Sequence, residues 1–336
     1  MNEKISKRKQ NWVDFVDLSS DVDRLLVVEC SENMPERPLL WWENKKERIQ
    51  WAYERFCRQT ENMEWLDDNT VPNISVITGT ELFAEAFGCS VHKPLDNTPC
   101  AIPLVNNVSE LYKVKFPKFE DTNLYTLFEM ADALKEKCGK DALIAMFDIQ
   151  TPMDIAALIW EKSDFFVALY EEPEAIKELT LKIKEFMFSF IDAWFNRYGK
   201  EFIAHYPQYY MPFGITVSED EIGTVNPAMY EEFFMKELHE FSEHYGAIGI
   251  HCCAESMHQW DNFKKIPNLK LLNLDRTPEQ TLQSYERLNN VAHFNQKIDL
   301  DLSKIKTPKK PHVANFVYTD TKSEAIKIVE KFKSKA

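Results

Sequence analysis

The sequence predicts an α/β chain, with an eight-stranded (β/α)8 TIM barrel as the architecture that fits best. Three observations lead there. Strand-like runs alternate with helix-like runs across most of the chain, the pattern of a parallel sheet with helical crossovers. The length of 336 residues is what one such barrel with an extension uses up. No Pro/Gly/Ser-rich linker divides the sequence. A doubly wound sheet is the competing topology, which periodicity alone does not separate from a barrel. The expected organisation is an N-terminal helical extension over residues 1–70 packed on a barrel over residues 71–336.

The elements follow in order. WENKKERIQWAYERFCRQTENM, Trp42 to Met63, spaces Ile49, Ala52, Tyr53 and Phe56 as one face of an amphipathic helix. Asn73 to Thr78 is a short β-branched run closed by Gly79, a strand. Helical patterns at Asp121–Cys138 and Pro152–Tyr170 flank a strand at Ala142–Ile149, and a long helix from about Glu174 ends at Gly199. Glu201–Tyr210 and Gly214–Ser218 read as extended. Asn226 and Pro227 then supply the cap and first-turn proline of a helix reaching Tyr245. Further strands are expected at Gly246–Ala254, Leu269–Leu274, Asn290–Ile298 and His312–Tyr318, with a last helix at Ser323–Lys333.

Composition excludes several function classes. Apolar residues make up 44% and aromatics 13%, enough for a large core. The formal charge of −14 repels phosphate backbones and anionic bilayers, so neither nucleic acid nor a membrane is an expected partner. Eight glycines in 336 residues is about a third of the usual share, and none falls in a dinucleotide or Walker phosphate-loop pattern. The seven cysteines are odd in number and carry no disulfide-framework spacing, which reads as reduced thiols. The N-terminus has no apolar segment behind its basic start, and no run reaches the 18 apolar residues of a membrane span. A cytoplasmic chain is expected.

Three constellations carry chemistry. In GIHCCAESMHQW, Gly249 to Trp260, strand alternation turns His251 and Cys253 to one face and Cys252 to the other. An imidazole and a thiol converging at a strand end suit zinc. Two ligands fall short of a site; Glu255, His258, Asp275 and His312 are candidates for completing it, and no cysteine follows Cys253. The plain alternative is a buried thiol and a hydrogen-bonded histidine. The second constellation, Ile203 to Pro227, joins His205, Tyr206, Tyr209 and Tyr210 to Glu219, Asp220 and Glu221. These acids suit metal binding or acid–base work, while Ser218 and Glu221 equally match a capping box. In the third, Asp148 and Gln150 share a strand face before Thr151 and Pro152 open a helix, which makes either a pocket wall or a capping turn.

The chain resembles the uroporphyrinogen decarboxylase superfamily, and within it the cobalamin-dependent methyltransferase branch. The likeness rests on the order and spacing of TGTELFAEAFGCSV from Thr78, DIQTPMDIAALIW from Asp148, FFVALYEEPEAIKEL from Phe165, SEDEIGTVNPAMYEEFFMKEL from Ser218 and GIHCCA from Gly249. It implies a (β/α)8 barrel. It also implies a methyltransferase moving a methyl group between a corrinoid protein and a small acceptor such as a thiol, with zinc held by His251 and Cys253. That branch has a later zinc cysteine with no counterpart in PKKPHVANFVYTDTKSEA. The arginine-bearing motif of the decarboxylase proper is missing from VVECSENMPERPLLWW. On this reading Glu219, Asp220, His205 and Tyr210 are the catalytic candidates, and Asp148, Gln150, Tyr209 and His258 the substrate-binding ones. A decarboxylase-like carboxy-lyase and a non-catalytic corrinoid- or thiol-binding barrel are the alternatives.

Overall fold

The computed structural model describes residues 3–296, 300–307 and 309–334. Six parallel strands form the larger sheet: β1 (Arg24–Cys30), β8 (Ile215–Ser218), β9 (Ile248–Cys252), β10 (Leu269–Leu274), β11 (Ala292–Asn295) and β12 (Val313–Thr319), in the order β1-β12-β11-β10-β9-β8. A second sheet has the order β2-β5-β6-β7, from β2 (Asn73–Ser75), β5 (Leu143–Ala145), β6 (Phe202–Ile203) and β7 (Tyr210–Met211). A separate hairpin joins β3 (Ser90–His92) to β4 (Cys100–Ile102).

Two seams join the sheets into a TIM-barrel-like ring. Past the end of β5 the chain runs on beside β8: the Ser218 N–H donates to the Ile149 carbonyl (2.8 Å) and the Thr151 N–H to the Ser218 carbonyl (3.1 Å). At the other seam side chains replace ladder bonds. The Asp68 carboxylate accepts the Val28 N–H at 2.9 Å, Asn69 Oδ1 accepts the Leu26 N–H at 3.1 Å, and the Asn69 N–H returns to the Leu26 carbonyl at 2.7 Å.

The segment 1–70 departs from a purely helical extension. It holds α1 (Glu3–Val16) and α2 (Lys45–Asn62), but β1 lies between them, paired with β12 along its whole length. Within RLLVVEC, Leu25 to Val28 is a continuous buried apolar run, the signature of a strand covered on both faces. α1 closes the bottom of the ring. Fully buried Trp12 packs on the rings of Tyr209 and Phe294, and the Phe15 carbonyl meets His312 Nδ1 at 2.8 Å. Burial of Trp12 and Phe15 contributes about 2–3 kcal/mol each.

The remaining helices, beginning with α3 (Leu82–Ala86) and α4 (Tyr125–Cys138), follow local chemistry. The expected helix over 152–170 is two, α5 (Pro152–Ile159) and α6 (Lys162–Glu171). Trp160 between them is extended and bridges Val105, and Glu161 caps α6 by accepting the N–H groups of Ser163 and Asp164. α7 (Pro173–Tyr198) starts on a first-turn proline and stops at Gly199, whose φ of 93° suits glycine. Asn226 caps a continuous helical stretch to Tyr245, with a π-turn at Tyr230–Phe234. The expected strand at Asn290–Ile298 is β11; Lys297 and Ile298 lie outside the described residues. Among the described residues no helix is long and apolar enough to cross a membrane.

Candidate active site

All six strands of the larger sheet run parallel, so their C-terminal ends share one rim, the rim where barrels of this kind assemble active sites. There Ser218 of β8, His251 of β9 and Asn273 of β10 stand side by side in register. Gly249, two positions before His251 on the same face, leaves room for Tyr209. A Cβ on Gly249 would come within 2.8 Å of the Tyr209 hydroxyl and 3.1 Å of Thr216 Cγ2. His251 therefore faces the barrel interior above Tyr209, and Cys252 faces the surrounding shell, fully buried.

One atom each from Asp220, His251 and Cys253 lies within 4.8 Å of the other two. Asp220 is also tied to Cys253 by its Oδ1, which accepts the Cys253 N–H at 2.6 Å. His251 is oriented from behind. Its Nδ1 lies 2.5 Å from Asn273 Oδ1, and Asn273 Nδ2 donates to the Phe294 carbonyl at 2.8 Å. The amide orientation is thereby set, so Asn273 Oδ1 accepts the Nδ1 proton and Nε2 is the ring nitrogen that Asn273 does not engage. The edge of the Tyr206 ring packs against the imidazole at 5.1 Å. Nitrogen, sulfur and carboxylate oxygen are the donors a zinc site uses, and three protein ligands leave the fourth position open, as in catalytic sites. The donor set fits zinc.

Titratable neighbours have shifted values with identifiable causes. Burial raises Asp148 to about 7, opposed by His251 and aided by the negative charge of Asp220. Burial lowers His205 to about 4, so its ring, with Nε2 at 3.8 Å from Asp148 Oδ1, is neutral at pH 7. Burial, then the Asp220 carboxylate, pushes the Cys253 thiol up to about 12, so without a cation it is protonated. A cleft of about 290 Å³ opens beside this group at the ends of β1, β2 and β12, with Arg37, Trp51, His205, Tyr206, Phe316 and Tyr318 on its walls.

Of the residues the sequence singled out, the structure gathers Asp148, His205, Asp220, His251 and Cys253 at the rim. Gln150 stands beside Ser218 there, its side-chain carbonyl buried without a partner among the described residues. Tyr209 sits in the barrel below them. Five placements differ. Tyr210 is not at the rim: its ring lies 5.4 Å from Lys9 of α1 and its hydroxyl bonds Glu201, because the β6–β7 hairpin turns it toward the barrel bottom. Glu219 is fully buried under the rim, its Oε1 accepting from Thr151 Oγ1 at 2.8 Å; burial and then the charge of Asp154 raise it well above the usual carboxylate range. His258 is spent on the Val225 carbonyl at 2.9 Å. His312 is at the opposite end against Phe15, and Glu255 binds the Met257 N–H and Gln280. Sequence reasoning did not single out Asn273, and an asparagine inside the apolar strand LKLLNL was the available signal.

A family model described as uroporphyrinogen decarboxylase (URO-D) matches residues 70–292, well over half of the chain. The chain belongs to the URO-D family. No curated protein matches this URO-D member closely enough to report. Among solved structures, a methyltransferase from Methanosarcina mazei is similar with a TM-score of 0.66 and 11% sequence identity, over 98% of this chain and 98% of that one. At that identity the likeness shows a shared fold, the TIM-barrel-like one described above.

Proposed function

We propose that this URO-D family member is a methyltransferase, moving a methyl group between a corrinoid carried on a partner protein and a small thiol acceptor at a zinc centre held by Asp220, His251 and Cys253. The observation that carries the reading is the convergence of three donors on the C-terminal rim, with the remaining nitrogen of His251 fixed by Asn273. The name of the structural neighbour supports the same direction. Asp220 takes the place of the cysteine that the sequence lacks.

Zinc held by Asp220, His251 and Cys253 would lower the pKa of an acceptor thiol, so that it would be a thiolate at neutral pH. Asp148, with its value near 7, is the group that takes up the thiol proton, and neutral His205 stands between it and the cleft. Trp51, Phe316 and Tyr318 give the cleft aromatic walls against which an acceptor would pack. A corrinoid on the partner protein would supply the methyl group and would keep the electron pair of the carbon–cobalt bond, while the residues of the rim would hold the acceptor sulfur toward it. Alignment of the two partners is the contribution of the barrel. Decarboxylation of a porphyrinogen finds less support: Arg55 in the cleft is bound to Glu29 by two hydrogen bonds, which leaves Arg37 as the free guanidinium among the described cleft residues.

The test uses methylcobalamin as donor and 2-mercaptoethanol as acceptor, following loss of the methylcobalamin spectrum. Turnover that disappears after chelator dialysis, returns with zinc and is lost in His251→Ala supports the reading. Equal turnover by metal-free protein refutes the zinc role, and no methyl transfer to any thiol refutes the activity.

A further inference from the structure

Asp220 is the ligand whose backbone has the most elaborate support, and that support comes from another barrel unit. Asp154, in the first turn of α5 and almost fully buried, accepts the Asp220 N–H at Oδ2 (2.6 Å) and the Glu221 N–H at Oδ1 (3.1 Å). Thr151 caps the same helix, accepting the Asp154 N–H at 3.3 Å, and its hydroxyl donates to Glu219 at 2.8 Å. Ser218 is bonded through its backbone to Ile149 and Thr151. Thus four successive residues, Ser218 to Glu221, are each gripped by the segment 149–154. The other side of this loop is equally close: a Cβ on Gly223 would lie 2.7 Å from Ala254 Cβ. With its backbone held in this way, the carboxylate of Asp220 points to the Cys253 N–H and the metal-ligand cluster.

We propose that Asp154 is a positioning residue that fixes Asp220 as a ligand for a divalent cation. It touches neither cation nor substrate. Its two carboxylate oxygens each hold one of two consecutive backbone N–H groups, so the turn after β8 cannot rotate without breaking both bonds. The inference rests on the metal-centre reading and extends it to a helix that carries no ligand. Partners of this kind behind a ligand are worth about 10–100-fold in metal affinity.

The experiment compares full-length wild type, Asp154→Asn and Asp220→Ala. Cobalt(II) affinity is measured by chelator competition, the cobalt visible spectrum reports ligand geometry, and amide hydrogen exchange of the metal-free protein is read over residues 217–224 and 250–255. The expected result for Asp154→Asn is an unchanged far-UV spectrum, cobalt bound 10–100-fold more weakly with shifted ligand-field bands, and faster exchange confined to those two segments. Unchanged affinity, bands and exchange in Asp154→Asn, with binding lost in Asp220→Ala, would overturn the inference while leaving the metal centre standing. A wild type that binds no cobalt, together with faster local exchange in Asp154→Asn, would reject the metal centre and leave Asp154 as the residue that positions Asp220. Should the Asn variant not fold, Asp154→Ser is read in the same way. Failure of both to fold marks Asp154 as a core element and overturns the assignment.

Discussion

Nδ1 of His251 and Oδ1 of Asn273 meet at 2.5 Å across the neighbouring strands β9 and β10, and this one contact decides which imidazole nitrogen faces the rim. Asn273→Leu removes the acceptor and frees the ring to turn; metal affinity should fall about 10–100-fold. Asn273→Asp keeps the acceptor and should retain binding. Chelator competition on the two variants checks this, and equal losses in both would contradict the role given to the Asn273 oxygen.

The fit of Gly249 against Tyr209 is a packing prediction. In Gly249→Ala the added Cβ meets the Tyr209 hydroxyl and Thr216, both in a tightly packed barrel interior. A loss of about 1–3 kcal/mol is expected, seen as a lowered denaturant midpoint. Adding Tyr209→Phe removes the nearest atom, so the double variant should recover part of the loss. Simple additivity would count against a direct clash.

Asp148 makes the pH dependence of stability predictable in sign. Its folded value of about 7 lies above the ordinary value of 3.8, so the folded chain holds a proton that the unfolded chain releases. Its contribution is present in full below pH 4 and is lost as pH rises through 7, to an extent of up to about 4 kcal/mol. His205 runs the other way, with its folded value of about 4 below the ordinary 6.5. Comparing Asp148→Asn with wild type at each pH cancels that second group. Between pH 5 and pH 8 the variant should gain stability relative to wild type; a constant difference would place Asp148 in a solvated setting instead.

Tyr210→Phe should leave methyl transfer within about twofold of wild type, because the hydroxyl bonds Glu201 at the other end of the barrel. A hundredfold loss would return Tyr210 to the site.

The misplacement of Tyr210 shows where sequence reading stops. Strand alternation put His251 and Cys253 on one face because that rule is local, and the strand at residues 248–252 obeys it. Tyr210 follows a turn within the β6–β7 hairpin, and the direction of a side chain after a turn depends on geometry no periodicity encodes. Glu219 and Asp220 were indistinguishable as neighbouring acids; the structure separates them because successive residues leaving β8 point to opposite sides, one under the rim and one into it. The barrel itself was legible from β2 onward through alternation and caps. β1 was not singled out because its apolar run lies among charged helical segments that dominate residues 1–70. Asp154 and Asn273 work through residues 66 and 22 positions away, a separation at which spacing in the chain carries no signal.

The most direct test of the account is metal content measured on protein purified without chelator, for wild type and for the single variants Asp220→Ala, His251→Ala and Cys253→Ala. The account predicts close to one equivalent of zinc in wild type and near-complete loss in each variant, with all four proteins folded. Metal-free wild type, or full occupancy in the variants, would contradict it.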